Sequence, residues 1–547
     1  MKRFACLLLC AALLLLLLPQ PYVKAAPEPN PLMRIGLTYG SNALAAANLQ
    51  THAGQGYEFG YINNDLIYIS LGKTSEGKIT VVKNRNVYLS GGVYSDTASD
   101  NAVGAFHTPH GTYPSREEAE TAVQSLREEG TPAFVSYRSG SWLVRSSSFT
   151  DSGGGVRETG SSRCVSVVVT GTTEIIFQFD YGEAFDFCVR PIAPEGGAAV
   201  TLHRDYRYNG MFEFRRQDGN NITVINAVDM QEYVKGIVPY EMSPTWPVEA
   251  LKAQAVCARS YTMANLNRHK SDGFNLCTTI HCHVYRGTSQ ASANSNRAVD
   301  ETYGQYLLYN GQSCNTVYHS SDGGATENSE NVWYEAVPYL RGVLDPYEDA
   351  SKIIGNYSWS YTVTNAQLSA HLNQAGRANS GVSAFYIDRY TPTGNVYSVT
   401  VLDSGGGTLA IYTKESARTF LRGLVGAPAN MSLSLRYSIT SGNAMLSVLP
   451  ADGNIRAYSD PGSLFVIGGD GNITSLPGSA MIISAGGVSG IPVGSNPTPG
   501  VYTVSGKGNG HNVGMSQWGA RCMADLGMTY DHILRHYFTG VEITAVG

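Results

Sequence analysis

The chain has 547 residues, a net charge of −6 and an isoelectric point near 6.1. This length predicts more than one domain, each long enough to bury a hydrophobic core. The acidic balance argues against a nucleic-acid-binding protein held by bulk positive charge. Only 15% of residues are charged, whereas glycine (60 residues) and tyrosine (34 residues) are abundant. Loop-rich β proteins of the cell exterior have this composition, including many that bind no carbohydrate.

The N-terminus carries a secretion signal. Lys2 and Arg3 precede an apolar run from Phe4 to Leu18, and Val23-Lys24-Ala25 then offers a small-residue cleavage pattern. The run is short for a membrane span, so we interpret residues 1–25 as a signal peptide, with an uncleaved membrane anchor as the alternative. The remainder is expected to be extracytoplasmic: secreted, associated with the cell wall, or anchored to the membrane only through this segment.

Residues 32–103 are predicted to form short strands broken by turns, and 104–150 to form strand, helix, strand and strand. A capping box at Ser115 and Glu118 predicts a helix over Arg116–Glu129. The segment 104–150 resembles the SPOR domain, a small α+β module that binds peptidoglycan glycan lacking peptide. An unrelated small α+β domain is the alternative.

A hairpin is predicted around Ser139-Gly140, and a glycine-rich linker over 151–160. The rest, 161–547, begins with short strands and continues as a mixed region of helices and strands. A β-rich insertion is predicted at about 434–505, followed by two helices that close the chain. The expected fold class is therefore α+β and multi-domain, with mixed sheets of short strands.

The most informative stretch is Val238–Tyr261, which places Glu241 on a tight loop just ahead of a long amphipathic helix. Pro247 near the first helical position and the apolar spacing of the next residues predict this helix. An acid on a rigid loop can serve as a general acid. A glutamate that merely caps the helix or faces solvent is the alternative.

Three blocks resemble, in order, the SpoIID/LytB family of bacterial cell-wall proteins. The first is Val238–Tyr261, whose helix is that family's signature helix. The second is Tyr318–Thr326, with Pro338-Tyr339-Leu340 after it, and the third is Gly510–Ala520. Asn512 stands where the third motif usually has glycine, and asparagine tolerates positive φ better than most residues.

The resemblance implies a lytic transglycosylase that cleaves the β-1,4 bond between N-acetylmuramic acid and N-acetylglucosamine in peptide-free glycan strands, in sporulation or wall remodelling. Glu241 would be its single acid/base, with a pKa raised by apolar neighbours such as Trp246 and Met242. Family members called LytB imply an alternative, a non-catalytic glycan-binding activator of a cell-wall amidase. A zinc hydrolase is a third interpretation.

The same motifs supply uncharged hydrogen-bonding side chains suited to a neutral polyol. On a helical wheel Gln254 and Tyr261 share a face and Arg259 points away, so they cannot all contact one ligand. Internal hydrogen bonds or helix caps are the alternative for each residue. The candidate substrate-binding residues are Gln254, Arg259, Tyr261, His319, Ser320, Ser321, His511, Ser516 and Gln517.

Seven cysteines follow the N-terminal segment, and Cys164 with Cys188 could form a disulfide. Thiolates and imidazoles cluster after the signature helix, and close spacing of these ligands favours tetrahedral Zn²⁺. Some SpoIID relatives carry such a structural zinc, which implies that here the ligands are His269, Cys277, His281 and Cys282. His283 is a substitute ligand, and a Cys277–Cys282 disulfide is an alternative.

Overall fold

The computed structural model describes residues 30–153, 157–217, 219–353, 357–427, 433–441 and 500–546, together with short strands between 446 and 490. The predicted signal peptide or anchor at 1–25 lies outside the described residues, as does the middle of the predicted linker. Among the described residues, no helix is long and apolar enough to cross a membrane.

Short strands dominate the first half of the chain. They are β1 Leu32–Thr38, β2 Ala46–Ala53, β3 Tyr57–Ile62, β4 Tyr68–Thr74, β5 Lys78–Lys83, β6 Val87–Ser90, β7 Val93–Ser95, β8 Ala102–Val103, β9 Phe106–Tyr113, β10 Ala133–Arg138, β11 Ser141–Phe149, β12 Glu158–Thr159, β13 Val165–Val169, β14 Ile175–Asp180, β15 Phe187–Pro191, β16 Val200–His203, β17 Tyr206–Tyr208, β18 Met211–Arg216 and β19 Ile222–Asp229.

Strands in the second half are shorter and more dispersed. They are β20 Leu276–Cys277, β21 Gln305–Tyr309, β22 Gln312–Ser313, β23 Tyr318–His319, β24 Ser358–Thr364, β25 Val382–Tyr390, β26 Val396–Asp403, β27 Thr408–Thr413, β28 Tyr437–Ser441, β29 Leu446–Val448, β30 Arg456–Tyr458, β31 Phe465–Ile467, β32 Ile473–Ser475, β33 Met481–Ser484, β34 Gly487–Gly490, β35 Val501–Lys507, β36 Met515–Ser516 and β37 Glu542–Ala545.

Helices interrupt these strands mainly after residue 229. They are α1 Arg116–Glu128, α2 Met230–Lys235, α3 Val238–Glu241, α4 Val248–Ala264, α5 Ala293–Asp300, α6 Ser329–Val332, α7 Asn365–Gln374, α8 Glu415–Gly423, α9 Gln517–Asp525 and α10 Tyr530–Tyr537, with 3-10 turns at Gly40–Asn42 and Lys270–Asp272. The α+β fold class predicted from sequence is confirmed.

Two large sheets form the first half of the molecule. One has seven strands in the order β20-β1-β19-β18-β15-β3-β4, and the other has ten in the order β12-β9-β11-β10-β14-β13-β5-β2-β16-β17. Aromatic side chains pack between them: the ring of Phe59 lies 5.2 Å from that of Phe177, and Phe187 lies 5.4 Å from Phe179. Such buried rings contribute a large apolar area to the shared core.

The sheets run across the predicted domain boundaries. Strands β9, β11 and β10 of the SPOR-like segment 104–150 continue directly into β14, which pairs parallel to β10. Strand β1, from the predicted segment 32–103, pairs with β19 and β20 of the segment 161–547. The predicted boundaries therefore divide the sequence but not the sheets. Within the SPOR-like segment, the capped helix and the hairpin around Ser139-Gly140 form as predicted.

Helix α4 is more deeply buried than its amphipathic pattern predicts. Every residue from Ala250 to Thr262 except Lys252 is buried. Small side chains allow this, because the alanines at 250, 253, 255 and 258 let α5, α9, α10 and β21 approach the helix closely. The signature helix is therefore a buried central helix of this part of the chain, and it gives the residues at its N-terminal end a fixed position.

The described residues of the predicted β-rich insertion at 434–505 are mainly strands. β28 and β24 flank β35 in one antiparallel sheet, and β29–β34 form three antiparallel strand pairs. Nearby, β25, β26 and β27 form a second antiparallel sheet on which α8 packs.

Candidate active site

Glu241 is the last residue of the single-turn helix α3, not a loop residue as the sequence predicted. Pro239 at the second position suits a helix start, because its missing N–H costs no hydrogen bond there. The loop lies after Glu241, from Met242 to Pro247. Asn294 holds this loop by donating from Nδ2 to the carbonyl oxygens of Pro244 and Trp246, at 2.9 Å each.

The Glu241 carboxylate is surrounded by neutral hydrogen-bonding groups. The backbone N–H of Val284 donates to Oε1 at 3.2 Å, and the side chains of Tyr318 and Gln517 also hydrogen-bond to the carboxylate. Burial raises the pKa of Glu241, and these three hydrogen bonds offset only part of the rise. No charged side chain of the described chain contributes to the shift. A carboxyl group in such a setting can hold a proton near neutral pH.

The convergence of the three motifs has a simple structural cause. Strand β23 pairs parallel to β36, with Tyr318 opposite Met515 and His319 opposite Ser516. This pairing brings the start of α9 beside the second motif. A Cβ at Gly514 would lie 2.2 Å from the carbonyl oxygen of Val317, so the turn before β36 requires glycine. Asn512 adopts φ 63°, as its tolerance of positive φ predicted.

One of the predicted binding residues contacts Glu241, and a second contacts the first. Gln517 donates from Nε2 to the backbone carbonyl of Glu241 at 3.1 Å and to Oε1 of Gln254 at 3.4 Å. Nε2 of Gln254 is buried without a partner in the described structure. Tyr261 makes other contacts: its ring packs 4.6 Å from that of His283, and its hydroxyl accepts a hydrogen bond from Arg268.

Arg259 lies apart from this group, as the helical wheel indicated. Its guanidinium is fully buried and donates to the carbonyl of Gln305 at 3.1 Å and to Oε1 of Gln231 at 3.2 Å. Burial lowers its pKa to about 10, which still leaves the group charged at neutral pH. These contacts assign Arg259 a place in the packing between α4 and its neighbours.

The histidines and serines of the motifs make mainly internal contacts. His319 and His511 have rings 5.4 Å apart, and burial lowers the pKa of His319 to about 4, so it is neutral. Ser516 caps α9 by accepting from the N–H of Gly519 at 3.0 Å, which is the alternative that the sequence left open. The backbone carbonyl of Ser320 accepts a hydrogen bond from the backbone N–H of Trp518. Ser321 and Asn509 exchange backbone hydrogen bonds.

A cluster of three carboxyl groups lies next to this site and does not include Glu241. Asp322, Asp345 and Glu348 bring carboxylate oxygens within 4.8 Å of one another. Glu348 accepts from Ser516 at 2.6 Å and from the N–H groups of Asp322 and Gly323. Burial and the neighbouring carboxylates raise the pKa of Asp322 well above its usual value. Within the described residues, Glu241 has no second carboxylate in contact.

Sequence reasoning missed two participants. The sequence indicates Tyr318 only as part of a motif, although its hydroxyl contacts the carboxylate. Val284 contributes through its backbone N–H, which no side-chain pattern can indicate. Its proximity to the cysteine–histidine cluster was the one available signal.

The four predicted metal ligands do come together. Nε2 of His269 lies 3.3 Å from Nδ1 of His281, and that nitrogen lies 3.9 Å from Sγ of Cys277 and 3.6 Å from Sγ of Cys282. Tetrahedral Zn²⁺, with bonds of about 2.1 Å to nitrogen and about 2.3 Å to sulfur, needs ligand atoms about 3.4 Å (N to N) and about 3.6 Å (N to S) apart. The residues therefore fit the ion.

The surroundings also suit a metal. Nδ1 of His269 faces Oδ2 of Asp272 at 2.8 Å, which directs Nε2 towards the cluster, as carboxylates commonly do behind metal-binding histidines. His283 is not in the cluster: its ring is buried between those of Tyr261 and Tyr318. All seven cysteines from Cys164 onward are free and buried, so neither the Cys164–Cys188 nor the Cys277–Cys282 disulfide is present.

Comparison with known proteins gives a consistent result. Residues 218–309 match the family model of SpoIID, the stage II sporulation protein. The amidase enhancer of Bacillus subtilis (strain 168) is 29% identical over 329 residues, which cover 57% of this chain and 40% of that protein. Stage II sporulation protein D of the same organism is 26% identical over 335 residues, which cover 58% of this chain and 76% of that protein. An uncharacterised protein of Brachyspira hyodysenteriae is 28% identical over 325 residues, which cover 59% of this chain and 69% of that protein.

Proposed function

The chain belongs to the SpoIID/LytB family, and from this premise we propose that it is a peptidoglycan lytic transglycosylase. Its substrate would be glycan strands without stem peptides, cleaved between N-acetylmuramic acid and N-acetylglucosamine to leave 1,6-anhydro ends. The observation that carries the proposal is the environment of Glu241, an acid with a raised pKa among neutral donors.

The proposed reaction needs fewer carboxyl groups than hydrolysis does. A typical glycoside hydrolase needs two carboxyl groups flanking the scissile bond. In a transglycosylase the 6-hydroxyl of the muramic acid replaces both water and the second carboxylate. One acid/base in a desolvated pocket is therefore sufficient, and Glu241 meets that requirement.

In the proposed mechanism Glu241 begins protonated. It donates its proton to the glycosidic oxygen as the bond from the anomeric carbon to that oxygen breaks. The 6-hydroxyl of the same muramic acid then bonds to the anomeric carbon, and the Glu241 carboxylate takes its proton, which restores the acid. Val284, Tyr318 and Gln517 hold the carboxyl group in place during both transfers, and Gln254 supports Gln517.

The test is cleavage of amidase-treated glycan by the full chain and by Glu241→Gln. The variant keeps the size of the side chain but cannot cycle a proton, so the rate should fall by on the order of 10²-fold or more. Products lighter by one water than hydrolysis products identify the anhydro end by mass. The control is Glu301→Gln, which alters an exposed carboxyl of the same domain. Normal turnover by Glu241→Gln would remove Glu241 from the mechanism.

A second function is supported by the match to an amidase enhancer. In that case the chain would bind glycan and stimulate a cell-wall amidase without cleaving the strand itself. The same preparations distinguish the two, because stimulation of an amidase on intact sacculi should survive in Glu241→Gln. Absence of anhydro products from the unaltered protein, with stimulation retained, would favour the activator.

We also propose that His269, Cys277, His281 and Cys282 hold one Zn²⁺. Four protein ligands leave no open position for water, so the ion would be structural and would order the loop that carries Val284. The protein would act outside the cytoplasm, where its proposed substrate lies. The SPOR-like segment 104–150 would add a second glycan contact, for which the half-buried ring of Trp142, packed on that of Tyr137, is a candidate.

A further inference from the structure

A cation packed against two tryptophans lies beside the candidate active site. The indole rings of Trp246 and Trp518 are 4.7 Å apart and tilted by 53°. The guanidinium carbon of Arg521 lies 5.1 Å from the ring of Trp246 and 4.8 Å from that of Trp518. At these distances the rings attract the cation and restrict its position. We refer to Trp246, Trp518 and Arg521 as the Trp–Arg platform.

The platform is fixed relative to Glu241 from both sides. Trp246 lies near the end of the loop that follows Glu241, and Asn294 donates hydrogen bonds to two carbonyl oxygens of that loop. On α9, Gln517 and Arg521 are four residues apart and therefore share one face of the helix, with Cβ atoms about 6 Å apart. Gln517 contacts Glu241, so Arg521 lies one helical turn from that contact.

The charge of Arg521 has no counter-ion in the described structure. It forms no salt bridge with a carboxylate there, and its Nε is buried without a hydrogen-bond partner. The charge of Arg521 does not contribute to the pKa shift of Glu241, the candidate catalytic acid. The side chains of the platform are partly exposed. A guanidinium that is held in place, accessible and unpaired is suited to bind a ligand carboxylate.

We propose that Arg521 binds the lactyl carboxylate of the N-acetylmuramic acid whose anomeric carbon is attacked. This inference rests on the proposed function. In peptide-free glycan that carboxylate is ionised, whereas in peptide-bearing glycan it is an amide and carries no charge. The lactyl group is borne on the reacting sugar itself, so a cation one helical turn from Gln517 is suitably near. Arg521 is thus a specificity-determining residue that selects glycan lacking stem peptides.

The experiment compares two forms of one substrate. Amidase-treated glycan carries free lactyl carboxylates, and coupling those groups to methylamine gives a matched neutral amide of nearly the same size. The full chain should prefer the carboxylate form in kcat/KM. In Arg521→Gln the ratio of the two kcat/KM values should fall by about tenfold or more, as expected for loss of a hydrogen bond to a charged group. Arg521→Lys should keep part of the preference, because it keeps the charge.

Two outcomes would overturn the inference. In both, the ratio of the two kcat/KM values is unchanged in Arg521→Gln. Either activity falls equally on both substrates, which would make the platform a packing element, or activity on neither substrate changes. Arg521→Lys, with a thermal unfolding midpoint measured for each variant, separates misfolding from lost recognition.

A binding measurement keeps this test apart from that of the proposed function. In the Glu241→Gln background, the affinity for carboxylate and amide glycan is measured with and without Arg521→Gln. Loss of the preference in affinity supports the role of Arg521 even if the unaltered chain cleaves nothing. Cleavage without any preference for the carboxylate form would leave the proposed function standing and overturn the inference about Arg521.

Discussion

The backbone N–H of Val284 donates to the carboxylate of Glu241, two residues after Cys282 of the candidate metal cluster. The segment that bears two of the four ligands therefore also positions the candidate catalytic acid. The hydrogen bond to Val284 lowers the pKa of Glu241 and so opposes the effect of burial. Order in this loop and the protonation of Glu241 are coupled through a single contact.

The first prediction follows from that coupling. Protein purified without added metal should contain about one equivalent of zinc, and Cys282→Ser should lose it, because three ligands bind Zn²⁺ much more weakly than four. Glycan cleavage should fall together with the metal content as the Val284 loop loosens. Metal analysis and the cleavage assay on the same samples provide the measurement.

Cys314→Ser is the matched control, since Cys314 is another buried free cysteine that lies outside the cluster. It should retain the metal. Full cleavage activity in metal-free Cys282→Ser would break the proposed link between the loop and Glu241. A Cys277–Cys282 disulfide in the native protein would contradict the metal site itself.

A second prediction concerns Tyr318→Phe and the pH dependence of cleavage. The Tyr318 hydroxyl lowers the pKa of Glu241, so removing it should raise that pKa further. Because the proposed mechanism requires a protonated Glu241 for its first step, the alkaline limb of the kcat/KM profile should move to higher pH. The loss of one hydrogen bond should also reduce kcat/KM by about 2–10-fold.

Tyr240→Phe is the control, because Tyr240 precedes Glu241 but its hydroxyl faces the carbonyl of Arg286. Its profile should match that of the unaltered chain. An alkaline limb that moves to lower pH in Tyr318→Phe would show that Tyr318 does not stabilise the charged carboxylate.

Local patterns predicted much of this structure. The capping box predicted helix α1 to within one residue, the turn at Ser139-Gly140 predicted the hairpin of β10 and β11, and two helices close the chain as expected, because short-range chemistry decides these elements. The metal cluster was likewise indicated by residue types close together in sequence. Only the folded structure shows that the ligand atoms of His269 and Cys277 lie close together.

Long-range pairing could not be predicted. Strand β1 joins β19 across nearly two hundred residues, and a single sequence contains no signal for that register. Glu327 shows the same limit for side chains. It is fully buried and accepts hydrogen bonds from Thr391, Thr393 and Asn395, which lie more than sixty residues away. A buried carboxylate needs such partners, but the sequence does not say which residues supply them.

The last prediction concerns Asp322, whose carboxyl lies against that of Asp345 with its own pKa raised well above the usual value. The folded state therefore holds a proton that the unfolded state has lost once the pH exceeds about 3.9. Unfolding then releases a proton, so the free energy of unfolding falls as pH rises from there to the folded pKa, by about 1.4 kcal/mol for each pH unit. Asp322→Asn cannot titrate, and its amide can donate to Asp345 without a bound proton. The variant should therefore lose this slope and be more stable than the unaltered chain at neutral pH.

Urea unfolding across the pH range measures both the slope and the stability of Asp322→Asn. Asp388→Asn is the control, because Asp388 accepts hydrogen bonds from Ser398 and Thr400 outside the cluster. A variant less stable at neutral pH with the slope intact would mean that Asp322 is ionised in the folded protein.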